Sequence, residues 1–265
     1  MGWFNTGQEA IAKVTAKSGG SWSDRFFVKS AGEAVIAFVD GENPADDADP
    51  DRVGHFKEHM YTKLDGSWSN YASCTGPATC LLCKSGLKPY DAWPFTVIQI
   101  RPTWKGKDGV EHSNDKKLMI VKKEAMQKVL RYIASKRGLT GTVWSVYRSG
   151  DKAYTIGDDW QFLKKIGADG MTPAQRRIEM AKPFQIEVPQ KDGTVANITV
   201  TIPSANLVKH DYETALKPKT EAEWAADGVD VAATKSKADS YGKDGAKGGS
   251  SGGTKRGSAE VDYSK

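Results

Sequence analysis

A cluster of three cysteines places the strongest constraint on how this chain folds. Cys74, Cys80 and Cys83 are its only cysteines, and they lie in a stretch that also contains Gly, Pro and Ser. Zinc at structural sites prefers a tetrahedral shell of thiolate and imidazole, and a C-x-x-C pair supplies two thiolates from one tight turn. The pattern predicts one structural Zn²⁺ ion held by the three cysteines and a histidine.

Two histidines compete for the fourth ligand position. His55 and His59 have the same parity in a predicted strand just upstream, so either side chain can face the cysteines. His59 is preferred because it starts the segment that runs toward the Asp65-Gly66 turn. The predicted ligand set is therefore His59, Cys74, Cys80 and Cys83, with His55 as the other candidate.

Other uses of the cysteines fit the sequence less well. A disulfide leaves one cysteine unpaired, and the N-terminus shows no secretory signal that would bring the chain to an oxidising compartment. A redox C-x-x-C motif requires a strand-to-helix context, whereas Thr-Gly-Pro before the pair and Lys-Ser-Gly after it indicate a loop. A catalytic zinc keeps one position open for water, which four protein ligands would close. We therefore do not expect an enzyme.

Charge and hydropathy bound the function further. The 265 residues carry a formal net charge of +5, with Lys and Arg spread along the chain. Such an excess is compatible with a polyanionic partner. No apolar run approaches the roughly 20 residues that span a bilayer, so we expect a soluble protein with no membrane partner.

The pattern of short apolar runs predicts a mainly β fold with helical decorations. The predicted strands are residues 25–29, 34–40, 93–101, 117–121, 141–148 and 152–156, joined as hairpins around glycine turns. Apolar residues at helical spacing from Met126 to Ile133 predict a helix that Gly138 ends. Residues 158–180 are predicted to be helical with a break near residues 167–170 and Thr172 as an N-cap, and residues 184–188 and 195–202 are predicted to form a peripheral hairpin. We interpret this order as an OB-fold Greek-key barrel with an inserted zinc-binding loop.

Composition divides the chain into three parts. Residues 1–22 are predicted to be a loosely attached arm, and residues 23–213 the barrel core, with a zinc subdomain at about 52–90. Beyond residue 213 the sequence is rich in Lys, Ala, Asp, Gly and Ser. So few apolar residues do not offset the entropy cost of ordering, and we predict a disordered tail over residues 214–265.

The order of these motifs resembles one known family. The run F-F-V-K-S-A-G-E-A-V-I-A-F-V-D is followed by a histidine, C-x5-C-x2-C, W-P-F-T-V-I and L-T-G-T-V-W-S-V-Y-R-S-G-D-K-A-Y-T-I. Over roughly residues 24–165 the chain resembles phage single-stranded DNA-binding proteins, the zinc-containing OB-fold group that includes the helix-destabilising protein of T-even phages. In that family the C-terminus is commonly strongly acidic. Residues 214–265 here have nine Lys or Arg against eight Asp or Glu, which is a departure from the pattern.

The resemblance implies a protein that coats single-stranded DNA in phage replication, recombination and repair. It implies the cytoplasm of the infected bacterial host as location and phage replication or recombination proteins as partners. It also implies one zinc ion on one histidine and three cysteines, which His59, Cys74, Cys80 and Cys83 match.

Binding of single strands without sequence preference needs cations that follow the phosphates and aromatic rings on which bases stack. The candidate residues combine both types on predicted strands and turns. They are Arg25, Phe27, Arg101, Trp104, Lys105, Lys107, Tyr147, Arg148, Lys152 and Tyr154.

A different function class stays open. A zinc-containing transcription or adaptor protein would bind duplex DNA or a polymerase, and duplex binding would use a helix with several basic residues. The helix after Val121 is the one candidate, because its basic residues are Lys122, Lys123, Lys128, Arg131, Lys136 and Arg137.

Overall fold

The fold is mainly β with a few helices, as the sequence predicts. The computed structural model describes residues 25–45, 49, 51–66, 70–105, 111–189, 193–230 and 233–235. The strands are β1 (Glu33–Phe38), β2 (Phe56–Lys63), β3 (Asn70–Ser73), β4 (Tyr90–Arg101), β5 (Trp104–Lys105), β6 (Glu111–His112), β7 (Asp115–Lys122), β8 (Thr142–Tyr147), β9 (Asp159–Lys165), β10 (Phe184–Pro189), β11 (Val195–Val200) and β12 (Val229–Asp230). The helices are α1 (Leu81–Lys84), α2 (Lys123–Lys136), α3 (Pro173–Met180), α4 (Tyr212–Ala215) and α5 (Glu221–Asp227), with a 3-10 turn at Ser204–Leu207. The predicted arm, residues 1–22, lies outside the described residues.

An antiparallel sheet of eight strands forms the centre of the fold. Its strand order is β12-β2-β4-β1-β8-β9, with β3 beside β2 and β7 beside β4. The long strand β4 pairs with β2 near its beginning, with β1 near its end and with β7 along its other edge. Among the described residues no ladder joins β9 back to β7, so the predicted closed barrel is not confirmed.

The chain segment between β1 and β4 extends the main sheet and has a small core of its own. It contains β2, β3 and α1, and we call residues 56–87 the cysteine module. Its own core consists of Tyr61, Ala72, Cys80, Leu82 and Leu87, joined by Trp224 from α5. The module is thus an insertion between two neighbouring strands of the main sheet.

Both faces of the sheet are buried at β1, which explains why residues 34–38 are an uninterrupted apolar run. Ile36 and Phe38 face a cluster that includes the apolar side of α2. Val35 and Ala37 face a second cluster, to which the β10–β11 hairpin contributes Ile186. Alternating side chains of a strand point to opposite faces, so a strand covered on both sides has no polar face to show.

Two predicted hairpins are wrong. Residues 25–29 do not pair with β1, because β4 and β8 occupy both edges of that strand. They run instead beside β7 and the turn after β8, with one parallel bridge from Arg25 to Leu118. Residues 152–156 also form a turn instead of a strand, and the partner of β8 is β9.

The segment predicted as helix over residues 158–180 begins as a strand. In β9, Trp160 and Phe162 alternate toward the core and pack near Trp144 of β8. One edge of β8 is paired with β1, and the N–H and C=O groups on its other edge need partners. A strand at β9 satisfies them, whereas a helix would leave them unpaired. The later part is confirmed, since Thr172 caps α3 through a capping box and Pro173 is its first residue.

Several other elements are confirmed. The strands β4, β7 and β8 match the predicted runs, and β10 pairs with β11 in the peripheral hairpin. Helix α2 ends as expected, with left-handed backbone at Arg137 and Gly138. No helix in the described ranges is both long and apolar enough to cross a membrane.

The boundary predicted for the disordered tail needs correction. Residues 214–230 contain the last two residues of α4 and all of α5 and β12, and β12 pairs with the end of β2. Trp224 is 9% exposed and packs on the Tyr61 ring at 5.1 Å between centroids. The segment has few apolar residues, but the cysteine module supplies the partners that order it. Residues 236–265 lie outside the described residues.

Candidate metal centre and nucleic-acid surface

Three neighbouring segments bring the predicted metal ligands together. His59 lies on β2, Cys74 follows β3, Cys80 precedes α1 and Cys83 lies within it. One ligand atom from each residue lies within 4.8 Å of all the others. The four side chains together can hold a metal ion.

The distances between ligand atoms fit tetrahedral coordination. His59 Nε2 lies 3.4 Å from Cys80 Sγ and 3.4 Å from Cys83 Sγ. The sulfurs of Cys74 and Cys83 are also 3.4 Å apart. A tetrahedral zinc ion with ligands at about 2.0–2.3 Å requires separations of about 3.5–3.8 Å. The three quoted separations lie just below this range and no separation exceeds 4.8 Å, so a small rearrangement around an ion would satisfy the geometry.

Local backbone structure explains how the cysteines converge. The Gly76 backbone has a φ of 99°, a value that favours glycine, and it turns the chain after Cys74. Gly76 N–H points at Cys74 Sγ at 3.3 Å, and Cys80 N–H donates to Gly76 O at 2.9 Å. The single turn of α1 then carries Cys83 back over Cys80. This explains why the C-x-x-C spacing produces two ligands on one side.

Without a metal, the surroundings of His59 and Cys80 favour the forms that bind a metal, whereas those of Cys83 favour the protonated thiol. Burial lowers the pKa of His59, which keeps the imidazole neutral and able to donate a lone pair. Burial raises the pKa of Cys80, but hydrogen bonds from the backbone of Cys83 and Leu82 outweigh it, so this pKa lies below its usual value. Burial and the neighbouring thiols raise the pKa of Cys83 to about 12. A bound cation would relieve this mutual suppression of ionisation.

The other candidate histidine lies outside the cluster. His55 Nε2 is 3.0 Å from Asp91 Oδ1, and its ring lies 4.9 Å from that of Trp93. Its side chain is 45% exposed. The four-residue cluster contains His59 and not His55.

The C-terminal segment closes the module on the side of β2. Asp227 in α5 accepts a hydrogen bond from Tyr61 OH at 2.6 Å and forms ion pairs with Lys63 and Lys219. Thr234 Oγ1 accepts from the Thr62 N–H at 3.0 Å. These contacts tie residues from beyond the predicted core to the strand that carries His59.

Three of the predicted stacking residues are exposed on connected segments. Phe27, Tyr147 and Tyr154 are 45%, 36% and 43% exposed. The Val28 N–H donates to Thr155 O at 2.6 Å, which joins the first segment to the turn after β8. Lys152, in the same turn, is exposed. We call the surface formed by Phe27, Tyr147, Lys152 and Tyr154 the aromatic surface.

Two predicted phosphate contacts instead use their guanidinium groups inside the protein. Arg148 donates to the carbonyl oxygens of Val28 at 3.1 Å and Asp151 at 2.8 Å. Arg25 forms an ion pair with Glu58, a residue 1% exposed. Arg148 therefore ties the Phe27 segment to the turn after β8, whereas Arg25 ties the same segment to β2 of the cysteine module.

The remaining predicted residues lie on the connection from β4 to β7. Arg101 is exposed at the end of β4, and Trp104 and Lys105 form β5, which pairs with β6. Lys107 lies outside the described residues. The structure thus places Arg101, Trp104 and Lys105 on a different connection from the aromatic surface.

Sequence reasoning missed a second group of cations against rings. Arg25 lies over the Tyr71 ring at 4.1 Å, and Lys122 lies over the Tyr90 ring at 4.5 Å. Burial lowers the pKa of Lys122. In β3 Ala72 is buried, so the neighbouring Tyr71 leaves the opposite face of the strand, away from the module core.

The basic helix of the alternative hypothesis also uses its cations internally. Lys128 Nζ donates to Asp158 O at 2.9 Å, and Lys136 Nζ lies 3.9 Å from the centre of the Phe162 ring. Lys122 lies over Tyr90, as described above. The exposed basic residues of this helix are therefore Lys123, Arg131 and the C-cap residue Arg137.

Comparison with known proteins adds no family assignment. No protein-family model matches the chain, and no curated protein sequence matches it. Its function is therefore argued from the geometry of the two sites.

Proposed function

We propose that this chain is a non-enzymatic protein that binds single-stranded DNA without sequence preference and carries one structural zinc ion. The observation that carries the proposal is the aromatic surface, in which three exposed rings lie on hydrogen-bonded segments and the exposed Lys152 lies in the same turn as Tyr154. Stacking of one base on an aromatic side chain contributes roughly 1–3 kcal/mol and tolerates any base.

The order of the strands supports an OB-type fold. Strands β1, β4 and β7 follow one another as a meander, α2 comes next, and the hairpin β8–β9 returns with β8 beside β1. In OB folds the loops after the first and fourth barrel strands bind oligonucleotides. In this chain those loops would be the cysteine module and the turn that carries Tyr154.

The donor set supports zinc in a structural role. Three thiolates and an imidazole are soft and borderline ligands that suit Zn²⁺. Since all four positions of a tetrahedral shell are filled by protein, no position is left for a reactive water. When bound, zinc would fix β2, β3 and α1 relative to one another.

In this proposal the protein coats and protects single strands in phage DNA replication, recombination and repair. It would act in the cytoplasm of the infected bacterial host, beside phage replication or recombination proteins and without a membrane partner. The resemblance in motif order supports this setting.

The test is a fluorescence titration of the zinc-loaded protein with oligo-dT and with a duplex of equal length, at low and high salt. Bound phosphates release counterions, so affinity for the single strand should fall steeply as salt rises. Tyr154→Leu should weaken binding, whereas Ile178→Ala, which changes an exposed apolar residue on α3, should not. A preference for duplex would favour the adaptor hypothesis, and salt-independent binding would refute the proposal.

A further inference from the structure

Phe27 lies between two residues whose backbone N–H groups are hydrogen-bonded to the rest of the fold. The Phe26 N–H donates to Leu118 O at 2.9 Å, and the Val28 N–H donates to Thr155 O at 2.6 Å. The side chains of Phe26 and Val28 are buried, whereas Phe27 is 45% exposed. The aromatic ring is therefore presented outward by a backbone that is fixed on its inner side.

The N-terminal end of this segment is held by a side chain. Arg25 and Phe27 are two residues apart in extended backbone, so their side chains leave on the same side. The Arg25 guanidinium contacts both oxygens of the Glu58 carboxylate, with Nη1 to Oε2 at 3.2 Å, and covers the Tyr71 ring. Tyr90 OH also donates to Glu58 Oε2, at 2.5 Å. Glu58 thus joins three segments of the chain.

Glu58 has a special position on β2. It directly precedes the metal ligand His59, and the two side chains leave opposite faces of the strand. One face of β2 therefore takes part in the metal centre, and the other holds Arg25. A carboxylate that is 1% exposed depends on its partners, because an unpaired buried charge is strongly unfavourable.

We infer that Glu58 is a positioning residue for nucleic-acid binding, which fixes Phe27 in its outward orientation through Arg25. Glu58 itself is buried and does not touch the strand. This inference rests on the proposed function, since it explains how the cysteine module and the aromatic surface act together. The role of the metal-ligating strand would then extend to the orientation of a stacking residue.

A double-mutant cycle tests this role directly. Phe27→Leu should lower the affinity for oligo-dT by about 5- to 150-fold, the loss of one stacked base. Glu58→Gln should lower affinity in the wild-type background but cause little further loss in the Phe27→Leu background. Tyr154→Leu is the matched control, because its effect should add to that of Glu58→Gln. Additive effects of Glu58→Gln and Phe27→Leu would overturn the inference.

Amide hydrogen exchange without DNA provides a second readout. Glu58→Gln should speed exchange at Phe26 and Val28, while zinc content stays at the wild-type level. If Glu58→Gln does not fold, Tyr90→Phe removes one hydrogen bond to Glu58 and should produce the same pattern more weakly. Unchanged amide exchange at Phe26 and Val28 in a folded variant would refute the role of Glu58 in anchoring this segment. Failure of the wild-type protein to bind oligo-dT would refute both the proposed function and the role of Glu58 in binding. The amide-exchange measurement would still show whether Glu58 anchors the Phe27 segment.

Discussion

Replacing Asp40 by asparagine should make this protein more stable near neutral pH. Asp40 is 3% exposed, and its carboxylate accepts hydrogen bonds from the Thr96 N–H at 2.9 Å and from Tyr212 OH. Both partners are neutral. Burial raises the pKa of Asp40 from 3.8 to about 6, although these hydrogen bonds partly oppose it.

The magnitude follows from the difference in pKa between the folded and unfolded states. A rise of this size corresponds to about 3 kcal/mol of folding free energy. The native state binds the proton more tightly, so this stability is fully present below about pH 4 and is lost as pH rises through about 6. Asparagine resembles the protonated form, because it keeps an acceptor for Thr96 and remains neutral at all pH values.

The assay is denaturant unfolding followed by tryptophan fluorescence at a series of pH values for both proteins. The stability difference between Asp40→Asn and wild type should grow by up to about 3 kcal/mol in favour of the variant from pH 4 to 7. Taking the difference cancels other groups that titrate equally in both. Asp51→Asn is the control, since Asp51 is buried but paired with Arg177 at 2.9 Å, and its loss should destabilise the protein at neutral pH. A difference between Asp40→Asn and wild type that does not change with pH would refute the reasoning.

Three further predictions concern the two sites. Cys80→Ser should abolish stoichiometric zinc binding and lower the melting temperature, measured by metal analysis and thermal unfolding; full zinc content in the variant would contradict the ligand assignment. Tyr154→Leu should weaken oligo-dT binding by roughly 1–3 kcal/mol with unchanged thermal stability, since the ring is 43% exposed. Asp227→Asn should reduce stability at neutral pH by about 1–2 kcal/mol, a value discounted for partial exposure. Burial raises the pKa of Asp227, but hydrogen bonds from Lys219, Tyr61 and Lys63 outweigh it and hold the pKa at about 2. The wild-type contribution should therefore persist above about pH 4 and disappear as pH falls toward 2, so an equal difference at pH 7 and pH 2 would argue against it.

Local patterns were sufficient for the elements whose partners are close in sequence. The C-x-x-C pair predicted two ligands on one turn, because that spacing brings them together wherever the turn is placed. Thr172 and Pro173 predicted the start of α3 for the same reason, since a capping box is built from adjacent residues. The β10–β11 hairpin also needed only its own turn.

Predictions failed where several partners competed for the same segment. The segment at residues 25–29 has strand-like sequence, but both edges of β1 were already occupied. The start of β9 was ambiguous between helix and strand, and the open edge of β8 decided it. Arg25 was expected at the surface, and only the fold could reveal Glu58 as its partner 33 residues away.

The sequence by itself determined the residue types of the candidate metal site, the mainly β class and the aromatic residues from which the proposed stacking surface was chosen. Ligand type, apolar period and turn residues are properties of short stretches of sequence. They can therefore be recognised without knowing which distant segments those stretches contact. The tertiary structure decided between His59 and His55, separated exposed rings from internally used arginines, and placed residues 214–230 against the cysteine module. These outcomes depend on which distant segments meet, because burial and pairing are settled only when the whole sheet has formed.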